Sequence, residues 1–281
     1  MQSLQMRYNP RSRNLDPVEG VNWGNQATLR LVSGPTYQQI ELVTDITNAS
    51  DIERVMLKQG SKEVVNVTGQ DLIDIQEHRK QFTEAGRFVL SFADETMRTK
   101  AGVRAGELVT LPGEIWFVYI QLKNKASTVA PPKIRARALT TESQPVRYYL
   151  PRIYSLTWNA AATGITPHDF AERSPYLTIK RIHFRDDSIE SVGVKRDSVV
   201  ETIVSKQDNA FDLAKAGLEQ NTGWFSLDFV ANGFGMESRL QTAAKSQLAF
   251  EIDKTKTGAI PVLVEALEQV TPLPSQQPKK A

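Results

Sequence analysis

Cysteine is absent from the 281 residues. Its absence excludes disulfides, thiolate nucleophiles and cysteine-ligated metals, and it fits folding in a reducing cytoplasm. Histidine is nearly absent too: His78, His168 and His183 stand far apart in the chain. Without a His-x-His pair there is no cupin-type metal site, and the three read as surface or strand-face residues. Long apolar runs are missing. The densest, Ile115 to Ile120, is far short of the roughly 20 residues that span a bilayer. Residues 1–16 contain no apolar core of a secretory signal, so a soluble protein made in the cytoplasm is expected. No charge of one sign dominates either: 34 basic against 32 acidic residues leave a net +2. A nucleic-acid binder working through one strongly basic face is thereby excluded.

Catalytic signatures are also lacking. Gly233-Phe234-Gly235 has no Lys-Ser/Thr to finish a phosphate loop, and no Gly-x-Ser-x-Gly elbow occurs. Asp94-Glu95, and Asp186-Asp187 with Glu190, fall in expected turns. Two or three carboxylates with carbonyls suffice for Ca²⁺, but these spacings match no calcium loop. They read as solvated turns, and a structural calcium is left without ligands. No catalytic, cofactor-binding or metal residue is assigned, and the chain reads as a non-enzyme.

What is present is strand pattern. Phe88, Leu90 and Phe92 alternate with Arg87, Val89 and Ser91. Phe225, Leu227 and Phe229 alternate in the same way with Trp224, Ser226 and Asp228. One buried and one mixed face is the pattern of an antiparallel sandwich, and the six apolar residues named are expected in the core. Gly69–Phe82 and Asn209–Gln220 have helical spacing instead, the second through Phe211, Leu213, Ala214 and Leu218.

The pattern occurs twice. Ile52, Glu53, Val55 and Lys58 match Ile189, Glu190, Val192 and Lys195 at an offset of 137 (189 − 52), and Gly86-x-Phe88-x-Leu90-x-Phe92 matches Gly223-x-Phe225-x-Leu227-x-Phe229 at the same offset (223 − 86). Tyr37 and Ile40 match Tyr176 and Ile179 at a slightly larger offset, and Ala138-Leu139 matches Ala266-Leu267 at a smaller one. Shared alternation explains only the apolar matches. The matched Glu, Lys and Gly at constant spacing point to a duplicated domain.

The expected fold is all-β: two tandem eight-stranded jelly-roll barrels, each with a short helix between its fourth and fifth strands. The expected boundaries are a basic tail over 1–20, barrels over 21–145 and 146–270, and a Pro/Gln-rich tail over 271–281. Arg7, Arg11, Arg13 and Lys279-Lys280 make the tails basic, and residues 1–16 are expected to be dispensable for the folded body.

On Gly34-Pro35-Thr36-Tyr37 ahead of a strand, Ile52–Leu57 followed by Lys58-Gln59-Gly60, Gly223-Trp224-Phe225 and Leu227-Asp228-Phe229, the chain resembles the major capsid proteins of corticovirus-type phages, over about residues 20–270. The resemblance implies homotrimers of pseudo-hexagonal outline, neighbouring trimers, minor capsid or membrane proteins as partners, and an icosahedral shell around an internal lipid membrane reached through the tails. The competing reading is a tandem β-sandwich that binds a receptor or carbohydrate through Trp116, Trp158 and Trp224.

Overall fold

The computed structural model describes residues 10–273. Its first half holds β1 (Arg11–Asn14), β2 (Gln26–Leu31), β3 (Thr36–Thr44), β4 (Ile52–Gln59), β5 (Lys62–Val67), α1 (Gly69–His78), β6 (Arg87–Ser91), α2 (Lys100–Arg104), β7 (Leu108–Val109), β8 (Trp116–Leu122) and β9 (Ile134–Thr141). Its second half holds β10 (Tyr149–Ala160), β11 (Gly164–Asp169), β12 (Leu177–Phe184), β13 (Ile189–Arg196), β14 (Val199–Ser205), α3 (Lys206–Lys215), β15 (Phe225–Asp228), β16 (Leu240–Gln241), β17 (Leu248–Lys254) and β18 (Gly258–Gln269).

Each half closes as two facing sheets. In the first barrel the order β1-β9-β3-β6 faces β2-β8-β4-β5; in the second, β15-β12-β18-β10 faces β11-β17-β13-β14. This is jelly-roll order, in which the chain crosses between the sheets at most connections and the hairpins β4–β5 and β13–β14 stay within one sheet. Alternation sets the faces. In β8, Trp116, Val118, Ile120 and Leu122 are buried, while Phe117, Tyr119 and Gln121 lie half-exposed outside. Phe88, Leu90, Phe92, Phe225 and Leu227 sit in the cores as expected. Phe229 is only partly buried, because β15 ends one residue earlier.

Three expectations need correction. Arg11–Asn14, assigned to a tail, is the first strand of the first barrel, antiparallel to β9 with Arg11 opposite Thr140. Deleting residues 1–16 would remove it. The helix follows the fifth strand of each barrel in chain order, not the fourth. Each half holds nine strands rather than the expected eight: β1 and β11 are additional, and β7 and β16 are only two residues long. β1 is all polar, and β11 carries Pro167 on a sheet edge, where proline is tolerated.

The duplication is visible in backbone detail. The matched Gly86 and Gly223 have φ of 80° and 76°, and a Cβ on Gly86 would meet the Thr44 carbonyl oxygen at 2.4 Å. Glycine is required there for its left-handed backbone. The matched N-caps Thr68 and Ser205 each accept from the third helical residue, Asp71 and Asp208.

One contact joins the barrels into a single sheet. β10 runs parallel to β5, with Ile153 opposite Val65 and Tyr154 opposite Asn66. The sheet β15-β12-β18-β10 thus continues into β5-β4-β8-β2.

Truncating Phe88 or Phe225 to Ala should each cost about 3–5 kcal/mol, read by denaturant titration of the purified chain. Unchanged midpoints in both variants would show that these strands do not face the cores.

The seam between the barrels as candidate functional site

β12 alternates Ile179, Ile182 and Phe184 into the second core. A bulge between Ile179 and Arg181 turns Lys180 out beside Arg181 and His183. β18 alternates likewise: Val262, Val264 and Ala266 point inward, while Glu265 points out with Leu263, which packs into the first barrel's core. Ser226 and Asp228 of β15 share that outer face. In an isolated barrel this face would be wet. Here the first barrel covers it, with α1, the residues after it and the Asp94 turn, so the face is buried.

The result is a closed ionic network. Arg181 donates to Asp94 at 2.6 Å and to Asp228 at 2.5 Å, and lies 3.7 Å from Glu265. Arg79, one residue beyond α1, pairs with Glu265. Lys180 lies 3.6 Å from Asp94 and 3.9 Å from Glu265. Three cations (Arg79, Lys180, Arg181) thus meet three carboxylates (Asp94, Asp228, Glu265). Each barrel contributes both signs, Arg79 and Asp94 from the first and the other four from the second, and the pairs Arg79–Glu265 and Asp94–Arg181 cross between them.

His78 and His183 complete the network, with ring centroids 4.9 Å apart. Both rings are fully buried. His78 bonds the Glu219 carbonyl through Nδ1 at 2.6 Å and Asp228 through Nε2 at 3.2 Å. His183 meets the Ser226 hydroxyl at 2.8 Å and Glu265 at 3.3 Å. At the rim Arg185 reaches Asp71 and Asp74 of α1 and stacks 4.7 Å from the Trp224 ring.

Burial alone would raise the carboxyls of Asp94 and Glu265. Arg181 and Arg79 outweigh it and hold both well below the usual carboxylate range. Asp228 is lowered too, chiefly by Arg181 against the same burial. Burial lowers Lys180 despite Asp94 and Glu265. Burial likewise takes His183 down to about 4, opposed by its bond to Glu265 and assisted by His78.

The network has no substrate-sized opening and no activated nucleophile; its chemistry is cohesion. Sequence spacing had separated the three histidines, whereas folding brings His78 and His183 together. His168 lies elsewhere, stacked on Trp158 at 5.2 Å. Asp94, considered for a turn, is taken by Arg181. Asp186 accepts from Ser188 and pairs with Lys254. Among the described residues no group of three His, Asp or Glu is placed to hold a metal ion, and no helix is long and apolar enough to cross a membrane. Trp116 lies in the first core, Trp224 at the seam and Trp158 against Phe184 and Phe250, so they form no shared platform. The sequence signal that marks the seam is Glu265, the one charged residue inside the apolar run 260–267.

Two jelly rolls fused through a shared sheet and a buried ionic seam define a double-barrel coat protein. The chain belongs to the viral coat protein P2 family, whose N-terminal domain model matches residues 12–143 and whose C-terminal domain model matches residues 150–270. As a member of this family it is a viral coat protein, and its role is structural, not enzymatic. No curated protein sequence matches it. Among solved structures, the major capsid protein P2 of Bacteriophage PM2 is similar at TM-score 0.84 and 20% identity, over 94% of this chain and 98% of that one. The STIV MCP gives 0.69 and 11%, over 93% and 97%. The PBCV-1 virus capsid gives 0.63 and 9%, over 96% and 97%. At these identities the likenesses speak for the fold.

Because His183 titrates near 4 when folded and near 6.5 when unfolded, the unfolded chain takes up the proton first as pH falls. Its contribution is intact above pH 6.5 and lost progressively towards pH 4, up to about 3 kcal/mol. Denaturant titrations from pH 7 to 4 should show this loss, and H183Q should flatten it. An equal slope in H183Q would assign the loss to other groups.

Proposed function

We propose that the coat protein works as a closed ring of three chains, six barrels of pseudo-hexagonal outline, that tiles an icosahedral shell with neighbouring trimers. What carries this reading is a face covered once and open once. In the second barrel the outer face of β12, β15 and β18 lies under the first barrel. The equivalent face of β3, β6 and β9 is an open cleft of about 620 Å³ beside Gln39, Glu41, Arg87, Val89 and Arg137. The helices differ in the same sense. α1 is packed into the seam, whereas α3 buries only Asn209 and Leu213 and leaves Phe211 69% exposed. A second barrel docking on the next chain's first barrel is a heterologous contact, and such contacts form rings when the rotation closes.

Light scattering should give three times 31.4 kDa, and F211D should shift the mass towards the monomer while its circular dichroism is unchanged. A monomer at high concentration, or a stable twofold dimer, would overturn the ring.

The same proposal places a lipid membrane and minor capsid or membrane proteins inside the shell, with synthesis and assembly in the host cytoplasm. Sequence-specific nucleic-acid contact has no part in it. Arg7 and Lys279-Lys280 lie outside the described residues and serve the membrane contact. Each basic side chain near anionic lipid contributes about 1 kcal/mol. The chain should float with phosphatidylserine vesicles at low salt and should lose this on removal of 1–9 and 274–281. Equal flotation of the trimmed chain would exclude the tails as the contact.

A further inference from the structure

The ring reading leaves open which strands meet between chains. We propose that β14 of one copy pairs in parallel with β1 of the next, with Thr202 opposite Asn14 and Ile203 opposite Leu15. This rests on the ring, and it adds a backbone-paired sheet that crosses every subunit boundary.

The register follows from the duplication. Within the chain the bridge is Val65 with Ile153 and Asn66 with Tyr154. Each of these four residues has a counterpart fixed by its own ladder. In the first barrel Leu57 faces Val65 and Val55 faces Val67; in the second, Val194 faces Thr202 and Val192 faces Val204. Val65 therefore corresponds to Thr202, and Asn66 to Ile203. On the other strand, Arg13 faces Ala138 as Arg152 faces Ala266, and these alanines face the matched Ile40 and Ile179. Asn14 therefore corresponds to Ile153, and Leu15 to Tyr154.

The strand edges agree. Among the described residues β14 pairs only with β13 and β1 only with β9, whereas their counterparts β5 and β10 are each paired on both sides. Unpaired edges invite a further strand, and parallel addition to an edge supplies main-chain hydrogen bonds. Burial also agrees. Val64, Val65 and Val67 of β5, at the seam, are at most 1% exposed. β14 has no buried residue, and its Ile203 is 62% exposed. Leu15, partly buried against the first core, is the apolar neighbour that Ile203 would meet. The two edges differ from each other, so in the ring each copy offers β14 to one neighbour and β1 to the other, a heterologous contact. A second copy fills one edge and a third closes the ring.

The absence of native cysteine makes the test direct. The full chain carrying N14C and T202C together, treated with mild oxidant or a short bismaleimide, should run on a denaturing gel as covalent dimers and trimers. Neither single variant should do so. Hydrogen exchange on the unmodified chain should show segments 10–15 and 199–205 gaining at least tenfold protection on going from dilute monomer to ring. A particle of threefold mass with no cross-link and no added protection in these segments would overturn the strand pairing and leave the ring standing. A chain that stays monomeric would overturn both.

Discussion

Everything in this subunit depends on the burial of one sheet on both its faces. The strands β10, β18, β12 and β15 turn one side to their own core and the other to the neighbouring barrel. A two-sided sheet normally reads as continuous apolar sequence; here its second face holds Lys180, Arg181, His183, Asp228 and Glu265. Removing such groups from water costs several kcal/mol per ion unless each finds partners. The partners Arg79, Asp94 and His78 are supplied by the other barrel. The seam gains little net stability from this over an apolar one, but it discriminates strongly. Any other placement of the barrels strands a charge in a dry interface, so the ionic network fixes one geometry where a greasy contact would tolerate several.

The duplication shows how one barrel design yields a face and a counter-face. At the ladder position after the paired Ile40/Ala138 and Ile179/Ala266, the first barrel has Glu41 across from Arg137 and the second has Arg181 across from Glu265. The opposite-charge pair is kept and its sign is exchanged. In the first barrel Glu41 and Arg137 satisfy each other at 3.0 Å, with the Arg137 side chain 38% exposed. In the second the pair has opened to 3.7 Å, and both members bind groups from the other barrel. The two outer faces have thus diverged for different neighbours, one inside the chain and one outside it.

The degree to which the sequence disclosed this differs by level. The barrels were legible because period-two alternation and the Gly86/Gly223 turn recur at one offset, and those signals are local. Two edge strands, β1 and β11, were not. β1 reads Arg-Ser-Arg-Asn, with no apolar face, because at a barrel edge its backbone is used and its side chains are in solvent. The seam was hidden for a related reason. Polar residues alternating with Ile179, Ile182 and Phe184 look like an ordinary wet face, and nothing local tells water from a second barrel. The distinguishing fact is the pairing of Arg181 with Asp94, 87 residues away. Only folding brings the two together.

That non-locality bears on assembly. A coat subunit must not present its adhesive faces indiscriminately, since exposed edges and apolar patches aggregate. In the proposed ring, half of the barrel-to-barrel contact is made as the chain folds, at an effective concentration no second molecule can match. The covered half includes the apolar β5 and the ionic face of β12. What remains outside is a polar first strand, the unpaired edge of β14 with Ile203 exposed, an open charged cleft and a helix with one exposed phenylalanine. The proposed ring would engage them all at once. In the proposed ring, duplication thus lets the adhesive seam form first within a chain and then between chains, the second step waiting for a partner.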